Sequence, residues 1–269
     1  MLRPREIPSV FAECVHCAVH DNCFLLAKAA SYSAALSLFP GLIVLAELLL
    51  RGNAERTLED WTVSMGQVLP PAVQRMLVDY LTGSGERSPI ILIVAAVAAI
   101  IFAADLMSSL MEGFRAAYRA PRRLSLWKDY NVAIMLVFLT FIPLTAANVA
   151  LILSRQIEVW AGRTFGEGGW ITASSRLSWW SIALATFTII LSVLYYVAPN
   201  RQQRWRDIVP GALLGALLLA PVTGVFTFYV QRIARYREFY GSVSAVVVLL
   251  IWTYLVGVIV LLGCEFNAA

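Results

Sequence analysis

The chain has 269 residues, of which 59% are hydrophobic and only 14% charged, with a mean hydropathy of +0.73. Soluble domains carry about 25% charged residues, so a water-soluble globule of this size is excluded, and disorder, which needs low hydrophobicity and high net charge, is excluded more firmly. The net charge of +4 comes from cations scattered over short loops, which argues against nucleic acid as a partner and suits the basic loops of a membrane protein.

Residues 8–28 come first, with Phe11, Val15, Ala18 and Val19 at helical spacing. That pattern predicts a helix lying on the membrane surface. The first 28 residues mix Arg, Glu, His and Asp, which leaves no apolar core for a cleavable signal peptide. Six apolar stretches follow, at about 29–50, 89–111, 130–154, 177–200, 208–231 and 241–264. A helix needs about 20 residues to cross the hydrocarbon core, and β-barrel strands of about 10 alternating residues are absent. The predicted fold is therefore all-α, a single integral membrane domain over 1–269 built as a bundle of six transmembrane helices. Between the first two spans, Pro70-Pro71 opens a stretch in which Val73, Met76, Leu77, Tyr80 and Leu81 share a face, closed by Gly83-Ser84-Gly85. It is expected to be a short amphipathic helix over the outer mouth of the bundle.

An even number of spans puts both termini on one side. The loops of that side hold 11 Lys and Arg against 10 opposite, so density decides. Arg115, Arg119, Arg122, Arg123 and Lys128 fill one loop and Arg201, Arg204 and Arg206 another, whereas the 51–88 loop also carries five acidic residues. Cations in short loops near span ends set orientation, and both termini are expected in the cytoplasm. Trp127, Trp160, Trp170, Trp179, Trp180 and Trp205 near span ends suit an interfacial belt.

No HExxH, P-loop, GxSxG or GxGxxG motif occurs, and no catalytic residue, cofactor or enzymatic activity is expected. Cys14, Cys17, His20 and Cys23 have a metal-like spacing, but on an unbroken helix steps of three residues fan the ligands apart. They would converge as a zinc site only if the helix broke, and no metal site is expected. With Cys264 ending the last apolar run, the four cysteines do not resemble a secreted disulfide framework. The stronger signal is charge inside the spans, where a carboxylate is costly unless it faces a cavity or a partner. Glu47 near the outer end of the first span, Asp105 toward the inner end of the second, Asn148 in the third and Glu265 at the end of the sixth form the candidate polar pathway. A structural alternative is that Lys28 and Arg115 pair with Asp105 or Glu265. Further polar groups, including Tyr32, Ser33, Tyr195, Tyr196, Thr223, Thr227, Thr253 and Tyr254, would line such a path or bond between helices. Pro40, Pro143 and Pro221 break spans, as helices framing transport sites often are. Two stripes of small residues predict close packing: Ala29, Ser33, Ser37 and Gly41 in the first span, and Gly211, Gly215, Ala212, Ala216 and Ala220 in the fifth. A homo-oligomer through the fifth span is the alternative use of that stripe.

Four landmarks in order resemble the YihY/BrkB family of bacterial inner-membrane proteins. They are Ala29 to Pro40 (AASYSAALSLFP), Val197 to Arg201 with Trp205-Arg206 and Pro210-Gly211-Ala212, Tyr240-Gly241-Ser242, and Leu250 to Tyr254 followed by Leu262 to Ala268 (LGCEFNA). Cys264 departs from the family's usual alanine there, and the Cys14/Cys17/His20/Cys23 set is no part of the pattern. The resemblance implies six spans with cytoplasmic termini in the inner membrane. Some members were once misnamed ribonuclease BN, and others carry a virulence label with a suggested transport role. A nuclease metal site needs clustered carboxylates or histidines in water, which two intramembrane carboxylates and the histidines His16 and His20 do not supply. The sequence therefore predicts transport or export of a solute or lipid-like compound across the bilayer. The alternative is a non-transporting envelope scaffold or assembly factor.

Overall fold

In the computed structural model, the described residues are 14, 16–51, 89–121, 127–144, 146, 169–199, 201, 203–232 and 244–268. All regular structure among them is helical. After a helical segment at 16–20, the elements in chain order are α1 (Cys23–Arg51), α2 (Pro89–Ala117), α3 (Trp127–Leu144), α4 (Gly169–Val197), α5 (Trp205–Arg232) and α6 (Ser244–Ala268). Among the described residues, five stretches are long and apolar enough to cross a membrane: Cys23–Val44, Pro89–Ala117, Trp127–Leu144, Trp205–Val230 and Val246–Ala268. Within α4, Ser181–Val197 is a shorter apolar helix. The outer amphipathic segment expected at 70–85 lies outside the described residues.

Membrane residence follows from what the helices expose. On α2, Ile90, Ile93 and Val94 are each more than 60% exposed, and on α5 Val225 is 69% exposed. Contiguous apolar surface of this kind is not left in water. Hydrocarbon is the solvent that suits it.

The surface helix expected over 8–28 is interrupted. Asp21 N donates to Cys17 O at 2.8 Å and Asn22 N to Val19 O at 3.4 Å, and Asn22 has φ 56°. Asparagine tolerates this left-handed conformation, which ends one helix, and α1 starts at Cys23. The face differs too, because Ala18 is fully buried while Val19 is 60% exposed.

By contacts the chain forms two compact units. The first comprises Met1–Cys23, Met111–Ala220 and Ile259–Ala269, and the second Phe24–Leu110 and Pro221–Val258. In the first, Phe114, Leu136, Leu191, Tyr195, Ile208 and Leu261 are fully or almost fully buried, and Phe114 meets Tyr195 edge to face at 5.3 Å. In the second, α1 turns Ala27, Ala30, Ala35 and Leu42 inward, and a Cβ on Gly257 of α6 would lie 3.3 Å from that of Ala27. The predicted stripe on α1 is not the packing face: Ala29 is exposed, and a Cβ on Gly41 would meet nothing within 4 Å. The α5 stripe does pack, with Gly211, Ala212, Gly215 and Ala216 buried and Ala220 exposed.

Candidate functional site

The polar residues of the first unit lie near helix ends. α2 closes in a turn where Arg119 has φ 48°, Arg119 N donates to Ala116 O and Ala120 N to Arg115 O, each at 2.9 Å. These paired bonds are the Schellman arrangement, here with arginine in the position usually held by glycine, and Pro121 follows. The turn places Arg115, where it grips Asp129 at the start of α3 through two parallel bonds of 3.0 and 2.8 Å. Both side chains are about nine-tenths buried. A bidentate guanidinium–carboxylate pair has both charge and geometry satisfied. Sequence reasoning offered Arg115 to Asp105 or Glu265 instead. Asp129 was passed over because it sits at the rim of an apolar run rather than inside one.

At the start of α5, Asp207 lies in the first turn, where its charge complements the helix dipole. Pro210 follows, without an N–H. Beside it Asn267 of α6 engages the α5 backbone twice: Gly211 N donates to Oδ1 at 2.7 Å, and Nδ2 donates to Ile208 O at 2.9 Å. The contact is backbone against backbone, because a Cβ on Gly211 would run into Gly263 O and Asn267 Oδ1. From α4, the buried Tyr195 hydroxyl donates to Val260 O of α6, and a Cβ on Gly263 would come within 2.6 Å of that hydroxyl. Tyr195→Phe is expected to lower stability by about 1 kcal/mol, the net worth of one intramolecular hydrogen bond. A fall in Tm with unchanged expression checks it.

Near the same end of α6, Cys23 Sγ donates to Glu265 Oε1 at 3.3 Å, with Cys23, Cys264 and Glu265 all buried. Cys14 is buried as well. His20 instead faces solvent, against Asp21 at 3.1 Å. The helix break at Asn22 therefore does not gather the Cys14, Cys17, His20 and Cys23 set. Among the described residues, no three His, Cys, Asp or Glu side chains are grouped to hold a metal ion.

The profile of the Virulence factor BrkB family matches residues 15–269. The chain belongs to that family. It is 30% identical over 248 residues to the ribonuclease-like protein YfkH of Bacillus subtilis, covering 88% of this chain and 86% of YfkH. It is 29% identical over 259 residues to a UPF0761 membrane protein of Pelodictyon phaeoclathratiforme and 26% identical over 255 residues to one of Xanthomonas campestris pv. campestris. These matches cover 92% and 93% of the chain but only 56% and 57% of the two relatives. No solved structure matches the chain.

In this BrkB-family protein two of the quoted landmarks are halves of one contact. The stretch 197–212 supplies Ile208 and Gly211, and 262–268 supplies Gly263 and Asn267, so the motifs are held together by a close helix crossing. The candidate pathway residues are distributed differently. Glu265 lies in the first unit with its thiol partner, while Glu47 and Asp105 belong to the second. Glu47 is 2% exposed. Asp105 is half-buried in α2, and no cation or hydrogen-bond donor meets its carboxylate among the described residues. Lys28 is exposed. Asn148 lies outside the described residues. Several hydroxyls named as possible path lining bond within their own helix: Thr227 to Thr223 O at 2.8 Å and Thr253 to Leu249 O at 2.9 Å.

Proposed function

We propose that this integral membrane protein transports or exports a solute or lipid-like compound, with Asp105 in the path. The observation that supports this reading is the state of Asp105. A carboxylate in an apolar helix is costly unless a partner or a polar cavity receives it. A structural carboxylate would have a cation, yet Arg115 is occupied by Asp129, Lys28 is exposed, and Asp105 has no partner among the described residues. A polar or hydrated path would accommodate the carboxyl of Asp105.

The name of YfkH offers a ribonuclease as the competing reading. Nuclease chemistry draws on clustered carboxylates or histidines, and no such group of three occurs among the described residues. The density of Arg and Lys over residues 112–129 and 201–207 supports cytoplasmic termini.

Asp105→Asn keeps the size of the side chain and removes its charge. In proteoliposomes loaded with a mixture of labelled ions, metabolites and short-chain lipids, the variant is expected to release nothing above protein-free vesicles while unfolding at the wild-type temperature. Equal release by the variant and the wild type would take Asp105 out of the path. No release even by the wild type would favour the scaffold.

A further inference from the structure

An outward stripe on α2 runs from apolar residues into Asp105. Ile90, Val94, Val97 and Ile101 are 67%, 61%, 50% and 44% exposed, and Asp105 comes next on the same face. Steps of four, three, four and four residues keep all five within an arc of about 80° on a helix of about 3.6 residues per turn. Ala95 and Leu110 lie off that arc and are buried. With a rise of about 1.5 Å per residue, α2 (Pro89–Ala117) places Asp105 about 24 Å from its first residue and about 18 Å from its last. That is well inside hydrocarbon about 30 Å thick.

Asp105 is half-buried, so a ligand on the stripe can reach part of it. Neither a cation nor a hydrogen-bond donor meets its carboxylate among the described residues. One turn on, Ser109 Oγ donates to Asp105 O at 3.0 Å, so that hydroxyl offers a neighbour only its lone pairs. A carboxylate beside an acceptor oxygen repels an anionic group and attracts a cationic one, strongly where the dielectric is low. The apolar stripe exerts no pull of its own, because lipid tails are as apolar as its side chains. Its effect is to admit a ligand that already resides in the bilayer. A second copy of this chain fits the stripe poorly. About a two-fold axis along the membrane normal, Asp105 would meet its equivalent at the same depth, and like charges repel.

We propose that the cargo of this path is a lipophilic cation, an apolar body with one positive group, which moves from the bilayer along the α2 stripe and sets its charge against Asp105. The proposal rests on the reading of Asp105 as a path residue and adds the sign and polarity of what it receives. A small hydrophilic cation lacks the body to reach that depth, and a lipophilic anion has the wrong sign.

The test measures the binding of three labelled ions, each alone, to the full-length protein in lipid nanodiscs. Tetraphenylphosphonium and tetraphenylborate share a shape and differ in charge, and tetramethylammonium has the charge without the apolar body. Tetraphenylphosphonium is expected to bind saturably above empty discs, and the other two are not. Asp105→Asn is expected to raise its Kd by about tenfold or more. Saturable binding of tetraphenylborate, or an unchanged Kd in the variant, overturns the proposal, as does tetramethylammonium binding as tightly as the phosphonium. Binding of neither tetraphenyl ion, with copies cross-linked through Val97→Cys, overturns it and gives the stripe to a second copy. Should Asp105→Asn fail to fold, the wild type decides: a preference for the phosphonium over the borate supports the proposal, and equal binding overturns it. The vesicle assay separates the two failures. Asp105-dependent release of an anionic or neutral compound would overturn the cation and leave the transport reading standing. Phosphonium binding without release of any compound would support the site and overturn transport.

Discussion

Replacing Gly211 with alanine is expected to cause the largest loss of stability of any glycine-to-alanine substitution among the described residues. The added Cβ would run into Gly263 O and Asn267 Oδ1. One of these is backbone, and the other belongs to a side chain bonded at both polar atoms to α5. No flexible terminus can swing away, so α5 and α6 must move apart. Overpacking alone costs about 1–3 kcal/mol, and loss of the two Asn267 bonds adds about 1 kcal/mol each. A cost of about 3–5 kcal/mol is a large share of a stability of about 5–15 kcal/mol. Gly224→Ala is the control. It lies in the same helix, a Cβ there would meet nothing within 4 Å, and alanine favours a helix over glycine by about 1 kcal/mol. Thermal unfolding of both variants in detergent should show Gly211→Ala strongly destabilised and Gly224→Ala unchanged or raised. Equal Tm values would mean that the α5–α6 crossing is looser than described.

The second large effect is expected at Arg115. Arg115→Met removes the guanidinium that answers Asp129 within a pair about nine-tenths buried. Breaking such a pair costs about 3–5 kcal/mol, whereas replacing both partners with apolar residues is often neutral or stabilising. Arg115→Met is therefore expected to unfold well below the wild type, and Arg115→Met combined with Asp129→Leu to recover most of the difference. Additive losses in the double variant would show that the two residues act separately. Recovery of fold also separates this structural role from the proposed transport, which the pair is not expected to affect.

The spans were the most legible part of the molecule, since solvation in hydrocarbon demands an unbroken apolar stretch and no other fold tolerates one. The break at Asn22 was not legible. It depends on one residue taking a left-handed conformation inside a stretch whose hydrophobic spacing continues through it. Small residues told a mixed story for a similar reason. Spacing identifies a smooth helix face but not what lies against it, so Gly211 and Gly215 pack while Gly41 faces open space. Charges within apolar runs drew attention to Glu47 and Asp105, and the structure finds one buried and the other half-buried. Asp129 was missed because its partner is fixed by the turn after α2, a geometry that spacing does not encode. The Cys23–Glu265 bond joins residues 242 positions apart, and no local pattern announces it. Asn267 was visible only as part of a motif, and its role became clear once its amide was seen bridging two backbone groups of α5.

The most direct test of the central claim, that Asp105 serves a ligand path, is thermal unfolding of the purified protein against a panel of ions, metabolites and lipids at several pH values. A ligand that binds only the folded state stabilises it by about 2.7 kcal/mol at a hundredfold excess over Kd. The account predicts a selective rise in Tm with one chemical class, lost in Asp105→Asn although that variant's unliganded Tm is unchanged. A panel that leaves Tm flat, or a shift that survives in Asp105→Asn, would contradict it.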